Sequence, residues 1–256
     1  MRCGFLSFVL ALGVQLVAPL FVAAADLETI QERGYLIVAV KDNWRPLGFL
    51  DEQGELIGFE IAIATRLAET LFDDATALVF QPLANEDRLA AVLNGNVDIA
   101  IAGIAVTPMR ERVVRFSVPY YLDGTAFVTN RPDIDSLSDL EQAEIALLEG
   151  SDSVPTIQYR LPSAILTGVS SYQAGLDVMT EGTVSAFAGD VTVLSGWIQE
   201  YPNHRLLPEI LTAEPLAIAF PKGNQYNNLR RFINNALNEW HQEGWLEAEA
   251  TSWGLP

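Results

Sequence analysis

Apolar residues recur along this chain with two alternating periods. Residues 35–40, Tyr-Leu-Ile-Val-Ala-Val, form a short run rich in β-branched side chains, the pattern of a buried strand. Residues 61–72 place Ile61, Ala64, Leu67, Ala68 and Leu71 at helical spacing. Residues 77–80 predict a second strand, 87–93 a second helix and 97–102 a third strand. This β-α-β-α-β order predicts a largely parallel sheet covered by helices, an α/β fold. A second series starts after Tyr121. It predicts strands at 125–129, 144–148 and 184–188, with helices opened by Ser138 and at 153–160, 171–181 and 192–201. A last strand and turn at 216–223 precede an amphipathic helix at 229–243, striped by Phe232, Ile233, Leu237 and Trp240.

Three predicted strand ends carry Gly or Asp: Gly103, Gly150 and Asp190. In open α/β sheets, ligands sit outside the carboxyl ends of strands. Two α/β units in series therefore predict a cleft between two lobes. The stretch 98–121 adds a helix start, with Thr107 as N-cap, Pro108 at N1 and Arg110 in the first turn. A cation is disfavoured at that end of a helix unless it meets an anion. Arg110 thus reads either as an anion clamp or as a surface arginine paired to Glu111 or Asp98.

Composition narrows the function. The chain of 256 residues has a formal net charge of −18, with acids spread along it, which disfavours nucleic acid and anionic lipid as partners. Residues 1–25 combine Arg2, an apolar run and Ala23-Ala24-Ala25, the pattern of a cleaved signal peptide. The run is also long enough for an uncleaved anchor. The one cysteine, Cys3, lies inside this segment, so the remaining chain has no disulfide or thiol nucleophile. With two distant histidines, His204 and His241, neither metal nor cofactor is expected.

Several motifs, in order, resemble one family. Gly58-Phe-Glu-Ile-Ala-Ile resembles a Gly-Phe-Asp-x-Asp-Leu signature, with Ala62 in place of the second acid. Residues 88–98 resemble a helix-then-strand stretch ending in Gly-x-x-Asp, and 103–110 resemble Gly-Met-Thr-x-Thr-Pro-Glu-Arg. Phe116-Ser117 with Tyr120-Tyr121, residues 217–223, and the closing Trp253-Gly254 complete the series. Together they are similar to the bacterial extracellular solute-binding proteins of family 3, the amino-acid-binding components of ABC importers.

The resemblance implies a two-lobed, type II periplasmic-binding-protein-like fold with two crossover strands. Lobe 1 would comprise 26–120 and 217–256, and lobe 2 125–212, with hinges near 120–124 and 212–216. It implies a monomeric periplasmic protein that takes a polar amino acid to a membrane permease. By position, Arg110 would clamp the α-carboxylate and Asp190 would accept the α-ammonium; without the family, Asp190 also reads as a helix N-cap. Gly103 would offer a carbonyl to the ammonium. Trp44 would pack on the ligand side chain, or simply in a core. Ser151 and Asp152 would bring backbone N–H groups to the carboxylate. Ala105 stands where a hydroxyl is usual, and Asn85 where an aromatic often closes the pocket. Lys41 would favour an acidic or amide side chain, or simply pair with Asp42 or Asp152, whereas Asp152 and Glu149 would favour a basic one, so the side chain stays open. An arogenate or prephenate dehydratase on the same fold, with Glu149 or Asp152 as acid, and a ligand-presenting sensor are the other readings.

Overall fold

The computed structural model describes residues 25–256 apart from residue 152. Apart from Ala25, the segment read as a signal peptide lies outside the described residues. No described helix is long and apolar enough to cross a membrane.

Two five-stranded sheets are built on the same plan. The first runs Leu78–Pro82, Leu36–Val40, Ile99–Ala100, Glu214–Phe220, Arg115–Asp123. Its first three strands are parallel and its last two antiparallel. The second runs Ile165–Val169, Glu144–Leu148, Ala186–Asp190, Thr125–Thr129, Arg205–Leu206, again three parallel strands followed by two antiparallel pairings. The molecule has the two-lobed α/β architecture that the alternating periods predict.

Each sheet is covered on both faces, which explains the unbroken apolar runs. Along Leu36–Val40, Leu36, Val38 and Val40 join a core with Phe59, Ile63, Leu67, Leu237 and Trp240. The intervening Ile37 and Ala39 pack with Ala91 and Val92 on the other side. In the second sheet Ile145 and Leu147 face one core and Ala146 another. Successive side chains of a strand point to opposite faces, so one run of five serves two helical layers. Each fully buried Leu or Phe contributes about 1.5–3 kcal/mol relative to exposure.

Some elements differ from the expectation. The strand expected over 97–102 is limited to Ile99–Ala100, although the N–H groups of Asp98 and Ile101 still donate to the Ile37 and Ala39 carbonyls at 3.0 and 2.9 Å; the Asp98 side chain has a separate role. Its buried carboxylate accepts from the N–H groups of Ile37 (2.8 Å) and Ala25 (3.3 Å) and pairs with Arg33. The α-helix expected after Thr107 is one turn of 3-10 helix, Arg110–Arg112. Thr107 Oγ1 does accept the Arg110 N–H at 3.3 Å, but the chain enters a strand at Arg115 before a second turn can form. The helix expected to open at Ser138 is a 3-10 turn, Leu137–Leu140, capped instead by Ser136 with Asp139. Ile165–Val169 escaped prediction as a mostly exposed edge strand interrupted by Thr-Gly. A small sheet of Asn43–Trp44, Gly48–Leu50 and Leu56–Ile57 also escaped it, its strands being two or three residues long.

The chain passes between the sheets twice. Asp123 pairs with Glu214 at the end of the antiparallel ladder, and Thr125 opens a strand of the other sheet one residue after Gly124. Elsewhere the halves touch through a few contacts. Arg45 Nε lies 3.4 Å from Glu200, and Gln199 Nε2 donates to the Trp253 carbonyl at 2.7 Å. Gly196, in helix Val191–Glu200, lies so close to Arg45 that a Cβ there would stand 2.4 Å from its carbonyl oxygen.

Two tests follow from this packing. Asp98→Ala removes the carboxylate partner of Arg33, which keeps its bonds to the Tyr35 carbonyl, and leaves the N–H groups of Ile37 and Ala25 without that acceptor at a buried site. It is expected to cost about 3–5 kcal/mol, read as a fall in Tm on the order of 10 °C. Gly196→Ala improves helix propensity by about 0.5–1 kcal/mol but obstructs the contact with Arg45. An unchanged or higher Tm with a larger radius of gyration in small-angle scattering is expected; an unchanged radius would count against the contact.

Candidate functional site

The site forms where strands of both sheets end. Lys41 follows Leu36–Val40, Leu148 ends Glu144–Leu148, and Asp190 ends Ala186–Asp190. A cavity of about 370 Å³ lies between the halves. Lys41, Asn43, Trp44 and Asn85 line it from the first sheet's side, and Leu148, Tyr172, Asp190 and Val193 from the second's. A second cavity of about 360 Å³ adjoins it, sharing Asn43, Trp44, Tyr172 and Val193. Ligand cavities of a few hundred Å³ at strand termini suit small polar molecules.

Of the residues picked out from sequence, Lys41, Trp44 and Asp190 come together on this wall, and Asn85 joins them. Gly103 lies directly behind Trp44: a Cβ on it would stand 2.7 Å from the indole ring, and its φ is +61°. Only glycine fits both demands. Its N–H donates to Glu60 Oε1 at 2.6 Å, and its carbonyl accepts from Arg88 Nη1 at 3.2 Å. The carbonyl proposed for an ammonium therefore already holds one donor, with a second lone pair remaining.

Arg110, Ala105 and Ser151 are not brought to the wall of this cavity. Arg110 folds back so that Nη1 donates to the Ala105 carbonyl at 2.8 Å. Among the described residues no carboxylate lies within 4 Å of its guanidinium, and Asp98, one alternative partner, is taken by Arg33. Ser151 donates its N–H to Leu148 at 3.1 Å and pairs its hydroxyl with Ser153 at 2.7 Å. Asp152 lies outside the described residues. Glu149 is exposed and away from the cavity's lining.

Asp190 carries the clearest electrostatic signal. Its backbone occupies the N-cap position of helix Val191–Glu200, yet its side chain makes no capping bond. Asp123 does that work instead, accepting from Thr192 N at 3.2 Å and from Thr192 Oγ1 at 2.6 Å. The Asp190 carboxylate is half-buried and, among the described residues, has no hydrogen bond or ion pair. Burial, with Asp123 and Glu214 close by, pushes its pKa up to about 7. Lys41 is its opposite in sign. Its ammonium is buried, donates only to the Leu83 carbonyl at 3.2 Å, and is pulled below the usual lysine range by burial and then by Arg88.

Two supporting residues were not singled out from sequence. Glu60 is fully buried; Oε1 accepts from Gly103 and from the Tyr120 hydroxyl, while Oε2 has no partner. Burial raises its pKa. Arg88 is buried against the carbonyls of Ala102, Gly103 and Asn85. The available signal was an acid set inside the apolar face Phe59, Ile61, Ile63, Ala64, where a charge requires a built partner. Among the described residues no group of His, Asp and Glu is arranged to hold a metal ion.

Comparison with known proteins places this geometry. Residues 36–256 match the family model of bacterial extracellular solute-binding proteins, family 3. The chain is 29% identical to the glutamine-binding protein of Geobacillus stearothermophilus over 199 residues, covering 77% of this chain and 76% of that one. Among solved structures, an ancestral cationic amino acid solute binding protein superposes with a TM-score of 0.75 at 27% identity, over 89% of this chain and 99% of the other. An ancestral amino-acid-binding protein described as a precursor of cyclohexadienyl dehydratase gives a TM-score of 0.68 at 26% identity, over 89% and 99%. The chain belongs to the bacterial extracellular solute-binding proteins of family 3.

Proposed function

We propose that this protein captures an amino acid between its two lobes and delivers it to the membrane component of an ABC importer, without changing it chemically. The observation that carries the proposal is Asp190: a half-buried carboxylate on the cavity wall that has no hydrogen bond or ion pair among the described residues and whose pKa is raised to about 7 by burial and by Asp123 and Glu214. An α-ammonium supplies a cationic partner. Arg110, with one hydrogen bond to a carbonyl and no carboxylate partner, has donors left for the α-carboxylate. Trp44 on its glycine platform offers a flat apolar surface to the rest of the ligand. Export by the 1–25 segment and action as a monomer belong to the same reading. So do lobes of 26–120 with 217–256 and of 125–212, closing about hinges near 120–124 and 212–216. A binding role is favoured over a dehydratase because Glu149, one of the two acids that reading requires, is exposed and off the cavity wall.

Removing either charged partner leaves the ligand charge that it meets buried and unpaired, a cost of about 3–5 kcal/mol. Arg110→Ala and Asp190→Ala are each expected to weaken amino-acid binding at least a hundredfold by calorimetry. Near wild-type affinity in both would overturn the site, and phenylalanine formed from arogenate would overturn the binding-only role.

The Asp190 carboxyl also makes a pH prediction. An ammonium needs the ionised form, so affinity should fall roughly tenfold per pH unit below about 7, with proton release on binding near neutrality. In the free protein its folded pKa lies above the unfolded value of 3.8. Its stabilising contribution is therefore complete below about pH 4 and is lost as pH rises through about 7. Asp190→Asn should flatten both profiles; calorimetry and thermal melts across pH 5–8 measure them.

A further inference from the structure

The cavity wall holds one cation whose charge the proposed zwitterion does not use. Lys41 is 4% exposed, lines the cavity with Asp190, and spends a single hydrogen bond on the Leu83 carbonyl. An ammonium has three donors, so two are unassigned. The charged groups facing it are Arg88, Asp42, Glu86 and Glu60. None of these carboxylates is within 4 Å of its nitrogen. Asp42 turns to the adjoining cavity, which it lines, and Glu86 is exposed. Glu60 Oε1 is engaged by Gly103 and Tyr120, Oε2 has no hydrogen bond, and the charge of Arg88 acts on this carboxyl more strongly than that of Lys41. The indole N–H of Trp44, on the same wall, is buried without an acceptor. Asn43 and Asn85 complete this side with neutral amides.

Charge balance then selects the ligand. A zwitterion neutralises Asp190 and Arg110 and leaves Lys41 as a buried, unpaired cation, which is costly. A basic ligand would bring a second cation beside it. An additional carboxylate removes the imbalance and supplies acceptors to the unassigned donors. We infer that the ligand is an acidic amino acid whose side-chain carboxylate is received by Lys41 on the first lobe's wall. This rests on the reading of Asp190 and Arg110 as the amino-acid clamp.

The test is calorimetry of the full mature protein with L-glutamate, L-aspartate, L-glutamine and L-arginine. Glutamate or aspartate is expected to bind at least tenfold tighter than glutamine, and arginine weakest. Lys41→Met should lower the preferred acid's affinity at least tenfold and bring its ratio to glutamine within about threefold. Lys41→Arg should keep the preference, which separates lost charge from a damaged fold. Tightest binding of arginine or of glutamine by the wild type, or an unaltered ratio in Lys41→Met, would overturn the acidic assignment alone. Absence of binding by any of the four, extended to the other amino acids, would overturn the amino-acid reading itself and this inference with it.

Discussion

The ladder between Arg115–Asp123 and Glu214–Phe220 is the constraint on which the rest depends. It completes the first sheet, and both crossings to the second sheet leave from its end. The same end sets the electrostatics of the cleft. Asp123, the last residue of its strand, holds the N-terminus of helix Val191–Glu200 through Thr192. That bond fixes the helix relative to the crossover and relieves Asp190 of capping duty. It also brings three acids, Asp123, Glu214 and Asp190, into one neighbourhood, so that the half-buried Asp190 carries the repulsion of the other two. A structural joint and a chemically strained carboxylate are consequences of one arrangement.

Polar groups at the cavity divide into those tied to one another and to the backbone and those without a side-chain partner. Glu60, Tyr120 and Arg88 form an inner layer that grips the backbone around Gly103 and holds Trp44's platform in place. Their hydrogen bonds run mostly to main-chain atoms and to one another, as rigid buried networks require. Asp190, Lys41 and Arg110 differ in lacking any side-chain partner among the described residues, whereas Glu60, with Oε2 unpartnered, is held through Oε1. A natural fold tolerates such groups where a ligand completes them. The contrast separates framework from site more sharply than burial alone, since Lys41 is as buried as Arg88.

Much of this was legible in the residues, and the exceptions have physical causes. The doubly covered strands announced themselves because both faces are apolar, as at Leu36–Val40 and Glu144–Leu148. The edge strands Ile165–Val169 and Arg205–Leu206 and the short strands near Trp44 did not, because partial exposure removes the run and brevity removes the period. Asp190 was read with two roles, and the sequence offered no means of choosing. The choice depends on Asp123, 67 residues earlier in the numbering, occupying the cap through Thr192. Arg110 was likewise read between a clamp and a pairing with Glu111 or Asp98; Asp98 pairs with the distant Arg33 instead, and neither acid forms an ion pair with Arg110. Glu60 and Arg88 stayed hidden because local pattern reports a face and not the partner across it.

The order of the strands along the chain has a consequence for how the molecule is made. The second sheet is assembled wholly from residues between Thr125 and Leu206, a contiguous stretch. The first sheet cannot close within its own N-terminal stretch, since Glu214–Phe220 sits between Ile99–Ala100 and Arg115–Asp123. A chain emerging from its N-terminus thus exposes the apolar edge of Ile99–Ala100 until residue 220 arrives, while the later-synthesised lobe is free to fold first. Domains generally fold as units during synthesis, and unpaired edges invite aggregation. The interval between residues 100 and 220 is therefore the stage of synthesis during which the edge of Ile99–Ala100 has no strand to pair with.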